Sequence, residues 1–317
     1  MTAVAETARP VLGGTAQWVS IRGHDTTLPI LIVLHGGPGG PETGLFRRFN
    51  GALEDSFVVV HWEQRGAGRS FARDIPPESM TIDRFLRDLD ELIDYIRERL
   101  STERKVVLLG HSWGSALGTL YAARHPQKIL AYVGTGQMGD LLASERASYA
   151  FALAEAERRG NNRALAELSK IGPPPYGPAK IRVQRRWLRR FMGGLSVPRF
   201  LWLAATAPGA SLFDLRNMFR GMAFSMRTLM KEVGPINLEV SVPRLEMPVW
   251  FLSGRGDRQV DARVAEAYFD KLAAPAGKEL VWFENAGHFV PFEEPEKFNA
   301  TMARIAGAVT PLPARSP

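Results

Sequence analysis

Four short apolar runs near the start of this 317-residue chain constrain its fold most. They are Ile30–Leu34, Phe57–Trp62, Val106–Leu109 and Ile129–Val133, and their apolar residues are largely consecutive instead of alternating with polar ones. Such runs are typical of parallel strands that are buried on both faces. Between them, Thr81–Leu100 has apolar residues three and four positions apart, with Thr81 as a helix N-cap. The alternation predicts an α/β chain with a mostly parallel, doubly wound sheet.

The alternation stops over residues 139–243, which hold helical patterns, the proline cluster Pro173–Pro175 and no convincing strand. Strand-like runs resume at Val249–Leu252 and Leu280–Phe283. We therefore predict a sheet domain made of residues 1–138 and 244–317, with residues 139–243 inserted as a helical cap. A further run, Gln17–Ile21, is expected to add an edge strand to the sheet.

A candidate nucleophile lies in Gly110-His111-Ser112-Trp113-Gly114, which matches the pattern G-x-S-x-G. The motif follows the run Val106–Leu109 and precedes a helical pattern of small residues. A strand, a sharp turn and a helix are the setting that exposes such a serine, and the glycines let the backbone close tightly around it. The alternative is a chance glycine-serine turn, which this setting disfavours. The sequence predicts Ser112 as a nucleophile at a helix N-terminus, where negative charge is favoured.

The glycine-rich segment His35–Gly40 directly follows the first predicted strand. Its backbone N–H groups can turn toward a substrate oxygen, together with the N–H of the residue after the nucleophile. We predict Trp113 and Gly37 as the two oxyanion donors, with Gly36 as the alternative to Gly37. A simple connecting turn is the competing interpretation, and the nearby G-x-S-x-G motif disfavours it.

One of the six histidines, His288, follows the last predicted strand. From there it can reach back over the nucleophile, and imidazole titrates near neutral pH, as a general base requires. Asp257 follows the run Val249–Leu252 and can hold the imidazole in the correct tautomer. Asp261, four residues later, is the second candidate for the acid.

These segments together resemble the α/β-hydrolase superfamily, and more narrowly its proline iminopeptidase-like group. The resemblance rests on HGGPG at 35–39, EQRGAGRS at 63–70, GHSWGS at 110–115, and GRGD and GHFVPFEEP around Asp257 and His288. It implies an α/β-hydrolase fold and a triad in the chain order Ser112, Asp257, His288. It also implies release of N-terminal proline or hydrolysis of similar small amides. Members usually have Asp where this chain has Glu63.

The resemblance also implies cap glutamates that hold a substrate amine, one of them in a Trp-rich segment ending in Trp-Glu. The nearest match here, residues 185–190, reads RRWLRR and has arginine instead. We therefore expect small esters or amides without a free amine as preferred substrates, with the proline iminopeptidase activity as the alternative. Five glutamates could still point inward and restore that activity: Glu155, Glu157, Glu167, Glu232 and Glu239.

Positive charge is concentrated in the predicted cap. Residues 139–243 hold sixteen Lys or Arg against eight Asp or Glu, an excess of eight, whereas the whole chain has a net charge of +7. The densest part is Lys180–Arg190. We expect a solvated helix face with Trp187 and Leu188 packed inward; a positive rim that attracts anionic substrates is the alternative. No recognition motif accompanies the charge, so a nucleic-acid partner is not expected.

The composition, 45% hydrophobic and 23% charged, is that of a globular protein. No apolar stretch is long enough to span a membrane, and the absence of cysteine and of a signal-peptide pattern leads us to expect a cytoplasmic protein. We predict a serine hydrolase for small molecules or short peptides, with no cofactor and no metal. Alternatives are a lactonase, C–C bond hydrolase or cofactor-free haloperoxidase on the same scaffold, or a non-catalytic ligand receptor. Serine at position 112 disfavours an epoxide hydrolase or dehalogenase, which use aspartate there.

Overall fold

A central sheet organises the computed structural model, which describes residues 2–195, 197–208 and 211–310. The strands are β1 (Val4–Ala8), β2 (Val11–Leu12), β3 (Thr15–Ala16), β4 (Trp18–Gly23), β5 (Ile30–Leu34), β6 (Val58–Glu63), β7 (Val106–His111), β8 (Ile129–Thr135), β9 (Val249–Gly254) and β10 (Lys278–Phe283). Eight of these described strands form one sheet in the order β1-β4-β6-β5-β7-β8-β9-β10, and β2 pairs with β3. Within the eight-stranded sheet the pairs β1–β4 and β4–β6 are antiparallel and the other pairs are parallel, and the separate β2–β3 pair is antiparallel. The predicted mostly parallel sheet is therefore confirmed.

From β5 onward helices separate the strands, as the predicted alternation of strands and helices requires, with a pair of helices after β10. The helices are α1 (Thr43–Phe49), α2 (Ile82–Arg99), α3 (Trp113–Arg124), α4 (Leu141–Arg158), α5 (Asn162–Ile171), α6 (Pro178–Met192), α7 (Val197–Ala205), α8 (Leu212–Val233), α9 (Leu238–Ser241), α10 (Ala262–Lys271), α11 (Val290–Glu293) and α12 (Pro295–Val309). Thr81 caps α2, because its side chain accepts a hydrogen bond from the Arg84 N–H at 3.2 Å. This confirms the predicted helix and its N-cap.

Alternate residues of the central strands pack into two different cores. In β5, Ile30, Ile32 and Leu34 join a core shared with α2, α3 and α10. The intervening Leu31 and Val33 join a second core shared with α1 and α12. Because helices cover both faces of the sheet, the strands need apolar residues at every position, which explains the continuous apolar runs.

The predicted edge strand is not at the edge. The run Gln17–Ile21 corresponds to β4, which lies between β1 and β6 and is largely buried. The edge is β1, whose sequence VAETA alternates between exposed and partly buried residues. Since one face of β1 meets solvent, it lacks the apolar run that marks a buried strand.

Between β8 and β9 the described residues form helices α4 to α9 and no strand. We call residues 141–241 the helical insertion. Three of its helices, α4, α5 and α6, share a small core that includes Ala152, Leu168, Trp187 and Phe191. On α6 the side chains of Trp187 and Leu188 are buried, while most of the arginines and lysines of Lys180–Arg190 face solvent. This agrees with the expected solvated face, apart from the half-buried Arg185.

The parallel strands β5, β7, β8, β9 and β10 end at the same edge of the sheet. The residues that follow these ends are therefore brought together, as in other open α/β sheets. They include His35, Ser112, Gly136, Asp257 and His288.

Candidate active site

Ser112 lies on a sharp turn between β7 and α3. Its backbone has φ of 53° and ψ of −119°, a conformation that residues with a Cβ rarely adopt. The flanking glycines have no room for side chains. A Cβ on Gly114 would lie 1.9 Å from the carbonyl oxygen of Leu34, and a Cβ on Gly110 would lie 2.5 Å from that of Gly114. Close packing against β5 thus holds the strained turn and leaves Ser112 8% exposed.

His288 and Asp257 form a buried pair. Nδ1 of His288 lies 2.8 Å from Oδ2 of Asp257, and the two residues are 1% and 2% exposed. The other carboxylate oxygen accepts hydrogen bonds from the backbone N–H groups of Gln259 at 2.8 Å and Val260 at 3.1 Å. The loop after β9 therefore fixes the carboxylate, and the carboxylate in turn fixes the imidazole with Nδ1 as the donor.

Asp261, the second candidate for the acid, has different partners. Its two oxygens accept hydrogen bonds from the Arg263 guanidinium at 2.8 and 2.9 Å, and its side chain caps α10. The structure brings Asp257, and not Asp261, to His288.

His111 connects the nucleophile to the histidine loop. Its Nε2 donates to the backbone carbonyl of His288 at 3.0 Å, and the two ring centroids are 5.0 Å apart. A Cβ on Gly136, at the end of β8, would lie 2.9 Å from Cε1 of His288, so glycine is required beside that ring. The described structure has no hydrogen bond between the Ser112 hydroxyl and His288. Such contacts are often long without substrate and tighten in the complex.

The glycine loop after β5 lies against the nucleophile, since a Cβ on Gly36 would be 3.2 Å from Cβ of Ser112. The N–H of Gly36 is directed at the Glu42 carboxylate at 3.4 Å. The Gly37 N–H donates to no described residue, and the Trp113 N–H, the first of α3, has no carbonyl within its own helix. The backbone N–H groups of Gly37 and Trp113 are therefore free to donate near Ser112. The φ of Gly37 is 118°, a conformation that glycine adopts readily.

Gln64, from the EQRGAGRS segment, joins the glycine loop to the nucleophile turn. Its side-chain N–H donates to the carbonyl of His35 at 3.1 Å, and its side-chain oxygen accepts from the Trp113 indole at 2.9 Å. Its backbone N–H also donates to Nε2 of His35 at 3.1 Å. Burial lowers the pKa of His35, which keeps that ring nitrogen free to accept. Gln64 thus fixes the distance between the segments that carry the two candidate oxyanion donors.

A second carboxylate–histidine pair lies beneath the site. Oε1 of Glu42 is 2.6 Å from Nδ1 of His111, and both side chains are almost fully buried. Burial lowers the pKa of His111, but the charge and hydrogen bond of Glu42 outweigh it, and the pKa lies above its usual value. Glu42 was not among the predicted site residues. Its only sequence signal was a carboxylate two residues after the glycine-rich loop, at the N-cap position of α1, where a carboxylate is common for local reasons.

The charged residues of EQRGAGRS form buried ion pairs and hydrogen bonds that stabilise the fold. Arg65 is buried and forms two hydrogen bonds with Asp88 of α2, at 2.8 and 3.0 Å, and others with the β2–β3 hairpin. Glu63 binds the Arg69 guanidinium at 2.7 Å, and burial raises the pKa of the Glu63 carboxyl group. Arg65 therefore joins the β2–β3 hairpin to α2, and the Glu63–Arg69 pair lies within the segment itself.

The five glutamates that could have pointed inward do not carry a free, buried carboxylate. Glu155 is paired with Arg158 and Arg159, Glu167 with Arg163 and Arg186, and Glu239 with Lys271; Glu232 binds the backbone N–H of Ile82, and Glu157 is exposed. A sixth glutamate, Glu145 of α4, is largely buried and paired with Arg185. Glu145 was missed because its neighbours in sequence give no sign of the contact with α6.

A family model described as "Alpha/beta hydrolase family" matches residues 31–301, which include every segment of the candidate site. The chain belongs to the alpha/beta hydrolase family. It is accordingly a hydrolase, and the predicted fold class is confirmed.

The comparisons also confirm the resemblance to the proline iminopeptidase-like group. The chain is 32% identical over 302 residues to "Probable aminopeptidase YbaC" of Bacillus subtilis, covering 93% of this chain and 94% of that protein. It is 26% identical to a "Proline iminopeptidase" of Saccharolobus solfataricus, over 84% and 81% of the two chains. The crystal structure of the proline iminopeptidase-related protein TTHA1809 from Thermus thermophilus superposes with a TM-score of 0.65 and 24% identity, covering 98% of each chain.

Two further properties concern the described residues alone. No group of three or more His, Cys, Asp or Glu side chains in them is arranged to hold a metal ion. Every helix within residues 2–195, 197–208 and 211–310 is too short or too polar to cross a bilayer.

Proposed function

We propose that the protein is a serine hydrolase that cleaves a small ester or amide through an acyl-serine intermediate. Ser112 is the nucleophile, His288 the general base and Asp257 the acid that orients it. The observation that carries the proposal is the buried His288–Asp257 pair, 2.8 Å apart, beside a serine on a strained strand-to-helix turn. Strain of this kind is retained where function requires the side chain to be held in that position.

The chemistry begins with proton transfer. Because Nδ1 of His288 donates to Asp257, Nε2 is the nitrogen that accepts the Ser112 proton as the hydroxyl attacks the carbonyl carbon. Asp257 stabilises the imidazolium that forms and remains ionised. His288 then donates the proton to the leaving alcohol or amine, which departs and leaves the acyl group on Ser112.

Negative charge on the carbonyl oxygen is stabilised by two backbone donors, Gly37 N–H and Trp113 N–H. Gly37 is preferred to Gly36, because the Gly36 N–H already faces Glu42. Gln64 holds both donor segments in place before substrate arrives, so little reorganisation accompanies the reaction. Water, activated by His288, then releases the acyl group by the reverse sequence of proton transfers.

The helical insertion, as part of a cap over residues 139–243, would select the substrate. A cationic amine needs a carboxylate that is not already neutralised, since burying an ammonium group is otherwise costly. The glutamates of the insertion are paired with arginine or lysine, bound to a backbone N–H or exposed. This supports esters and amides without a free amine as the preferred substrates.

The second candidate is an aminopeptidase that releases N-terminal proline. The relatives named aminopeptidase and proline iminopeptidase favour it. The buried Glu145 also favours it, because one of its oxygens has no hydrogen-bond partner among the described residues.

Specificity constants decide between the two candidates. The substrates are proline p-nitroanilide, its N-acetylated form and the p-nitrophenyl esters of the same acids. Our proposal predicts ester hydrolysis well above hydrolysis of the prolyl anilide, and complete loss in Ser112→Ala. A clear advantage for the free-amine prolyl anilide that disappears in Glu145→Gln would establish the aminopeptidase instead. Absence of turnover of every compound would contradict the hydrolase proposal itself.

A further inference from the structure

Exposed aromatic side chains are concentrated on two neighbouring helices of the insertion. In the described part of the chain, three Trp or Phe side chains are more than half exposed: Trp202 of α7 at 58%, and Phe213 and Phe219 of α8 at 65% and 51%. The two helices are adjacent, since residues of both line one cavity beside α1. Exposed aromatic residues that cluster in this way mark interaction surfaces, whereas isolated ones do not.

The outer face of α8 combines aromatic groups with positive charge. Because an α-helix has about 3.6 residues per turn, its exposed residues from position 213 to 227 lie on one side of the helix, together with a partly exposed arginine. They are Phe213, Arg216, Phe219, Arg220, Ala223 and Arg227. This set contains aromatic, basic and small apolar side chains, and no carboxylate, amide or hydroxyl group. We call this side of α8, together with Trp202, the α7–α8 face.

The positive charge of the α7–α8 face is not balanced by nearby acids. Residues 197–231 contain five Lys or Arg and one acidic residue, Asp214. Asp214 is partly buried and lines the cavity that Glu63 also lines, so it is directed away from this face. Burial, and then the charges of Arg216 and Arg73, lower the pKa of Arg220. Several guanidinium groups therefore lie close together here without a neutralising carboxylate.

The other basic helix of the insertion, α6, lacks exposed aromatic groups. Its segment 180–190 has the densest positive charge of the chain, but Trp187 and Phe191 are only 5% and 6% exposed and pack into the small core of α4, α5 and α6. Within the described residues, the α7–α8 face alone presents both exposed Trp or Phe side chains and arginines. This difference makes α6 a matched control for effects of charge alone.

An anionic lipid surface fits this combination of side chains. Arginine attracts lipid phosphates, and exposed Trp and Phe insert at the level of the headgroups, as in helices that lie on a membrane. A second copy of the chain fits poorly, because a two-fold contact through this face would bring the same arginines together. Recognition of a folded protein or of nucleic-acid bases uses directed hydrogen bonds, and the exposed side of α8 has no neutral polar side chain to make them.

The opposite side of α8 packs on the loop that carries a candidate oxyanion donor. A Cβ on Gly39 would lie 2.7 Å from Oγ of Ser225, and a Cβ on Gly40 would lie 3.6 Å from Cε of Met222. One helix, about 10 Å in diameter, therefore separates the α7–α8 face from the glycine loop. A bilayer on this face would lie close to the candidate active site.

We propose that the α7–α8 face docks on an anionic lipid surface, with Trp202, Phe213 and Phe219 among the headgroups and the arginines of α8 on the phosphates. The docking is a property of this surface and does not depend on catalysis. Its consequence for substrate choice is that esters dissolved in the bilayer are hydrolysed efficiently. That consequence rests on the proposed hydrolase function.

Co-sedimentation with vesicles measures the docking. The vesicles contain phosphatidylcholine, either alone or mixed with phosphatidylglycerol, and each kind is used at low and at high salt. The partition coefficient should be at least about tenfold higher for the vesicles with phosphatidylglycerol, and it should fall as salt screens the charges. Equal binding to both kinds of vesicle, or binding to neither, would refute the proposal.

Two triple variants remove either the charge or the aromatic groups. The charge variant is Arg216→Gln, Arg220→Gln and Arg227→Gln. The aromatic variant is Trp202→Ser, Phe213→Ser and Phe219→Ser. Each should lower the partition coefficient by about 10- to 100-fold. The substituted side chains are exposed or partly exposed, so both variants should keep the Tm of the unaltered protein.

A third variant removes the same number of charges from α6. It is Lys180→Gln, Arg182→Gln and Arg190→Gln, all at exposed positions. This control should bind vesicles within about twofold of the unaltered protein, because α6 has no exposed aromatic group to anchor it. An equal loss in this control and in the charge variant would mean that net charge alone attracts the vesicles, and the α7–α8 face would have no special role.

Two further measurements examine other occupants of the face. Binding to single-stranded oligothymidylate that is tighter than binding to vesicles, and that is lost in both triple variants of the face, would identify a nucleic-acid surface. Sedimentation velocity that shows a dimer, lost in the aromatic variant, would identify an interface between copies of the chain. Either result would overturn the proposal.

Hydrolysis gives a second readout. On p-nitrophenyl decanoate dissolved in phosphatidylglycerol vesicles, both variants of the face should be about tenfold slower or more, in line with their lower bound fraction. On p-nitrophenyl acetate in solution they should match the unaltered protein. Vesicle binding without turnover of any ester would leave the docking intact and contradict the hydrolase proposal. Ester turnover without vesicle binding would contradict the docking and leave the hydrolase proposal intact.

Discussion

Replacing Ser112 by glycine is expected to give a more stable protein than replacing it by alanine. Both changes remove the hydroxyl and should abolish hydrolysis. Only glycine removes the Cβ that makes the backbone conformation, with φ of 53° and ψ of −119°, unfavourable. The difference between the two variants therefore measures the strain stored at the turn.

The size of the difference follows from two opposing effects. A side chain held in a sparsely populated backbone region costs roughly 1 to 3 kcal/mol. Glycine makes the unfolded chain more flexible, which lowers stability by about 0.5 to 1 kcal/mol relative to alanine. Ser112→Gly should therefore exceed Ser112→Ala in the free energy of unfolding by up to about 2.5 kcal/mol, with a central value of about 1 kcal/mol. For a chain of 317 residues, an unfolding entropy of about 2.1 cal/mol/K per residue gives a Tm shift of about 1.5 °C per kcal/mol, so the expected rise in Tm is up to about 4 °C.

Urea denaturation and differential scanning calorimetry of the two variants provide the measurement. Ser169, an exposed residue within α5, is the matched control. At that helical position Ser169→Gly should be less stable than Ser169→Ala by about 1 kcal/mol, the opposite sign. If Ser112→Gly were also less stable than Ser112→Ala, the turn would not be strained, and strain could not be an argument for the role of Ser112.

Three further changes test the surroundings of the nucleophile. Asp257→Asn is expected to lower kcat for an ester by about 10⁴-fold, whereas Asp261→Asn should have a far smaller effect; equal losses would mean that the acid is misassigned. Glu42→Gln should destabilise the protein more at pH 6 than at pH 9 in urea titrations. The reason is that the pKa of His111 is raised by Glu42, so the pair adds stability that is fully present below the usual histidine pKa of 6.5 and is lost as the pH rises through the raised pKa. A loss of stability in Glu42→Gln that does not change with pH would contradict the charged pair. Gln64→Leu should lower kcat about 10- to 100-fold with little change in KM, and a change in KM alone would show that it only binds substrate.

The sequence predicted the parts of the site that local structure determines. The turn at Ser112 needs a strand before it, a helix after it and glycines on both sides, and all of these are readable in order along the chain. His288 could be predicted from its position after the last strand, because the carboxyl ends of parallel strands meet at one edge. Of the two aspartates that follow β9, the structure brings the predicted first choice, Asp257, to His288, and its catalytic role stays a prediction.

The sequence did not predict the contacts that depend on distant elements. Glu42 meets His111 across 69 positions of the chain, and Glu145 meets Arg185 across 40. A carboxylate at such a position looks like any exposed glutamate until the packing of helices and strands is known. The edge strand β1 was missed for a related reason, since its half-exposed residues give no apolar run.

Covalent labelling tests the central claim most directly. The protein is treated with a fluorophosphonate, digested and examined by mass spectrometry, with Ser112→Ala and His288→Ala treated in parallel. The account predicts one adduct, on the peptide that contains Ser112, with no adduct in Ser112→Ala and much slower labelling in His288→Ala. Labelling that persists in Ser112→Ala, or that proceeds at an unchanged rate in His288→Ala, would contradict a nucleophilic serine activated by this histidine.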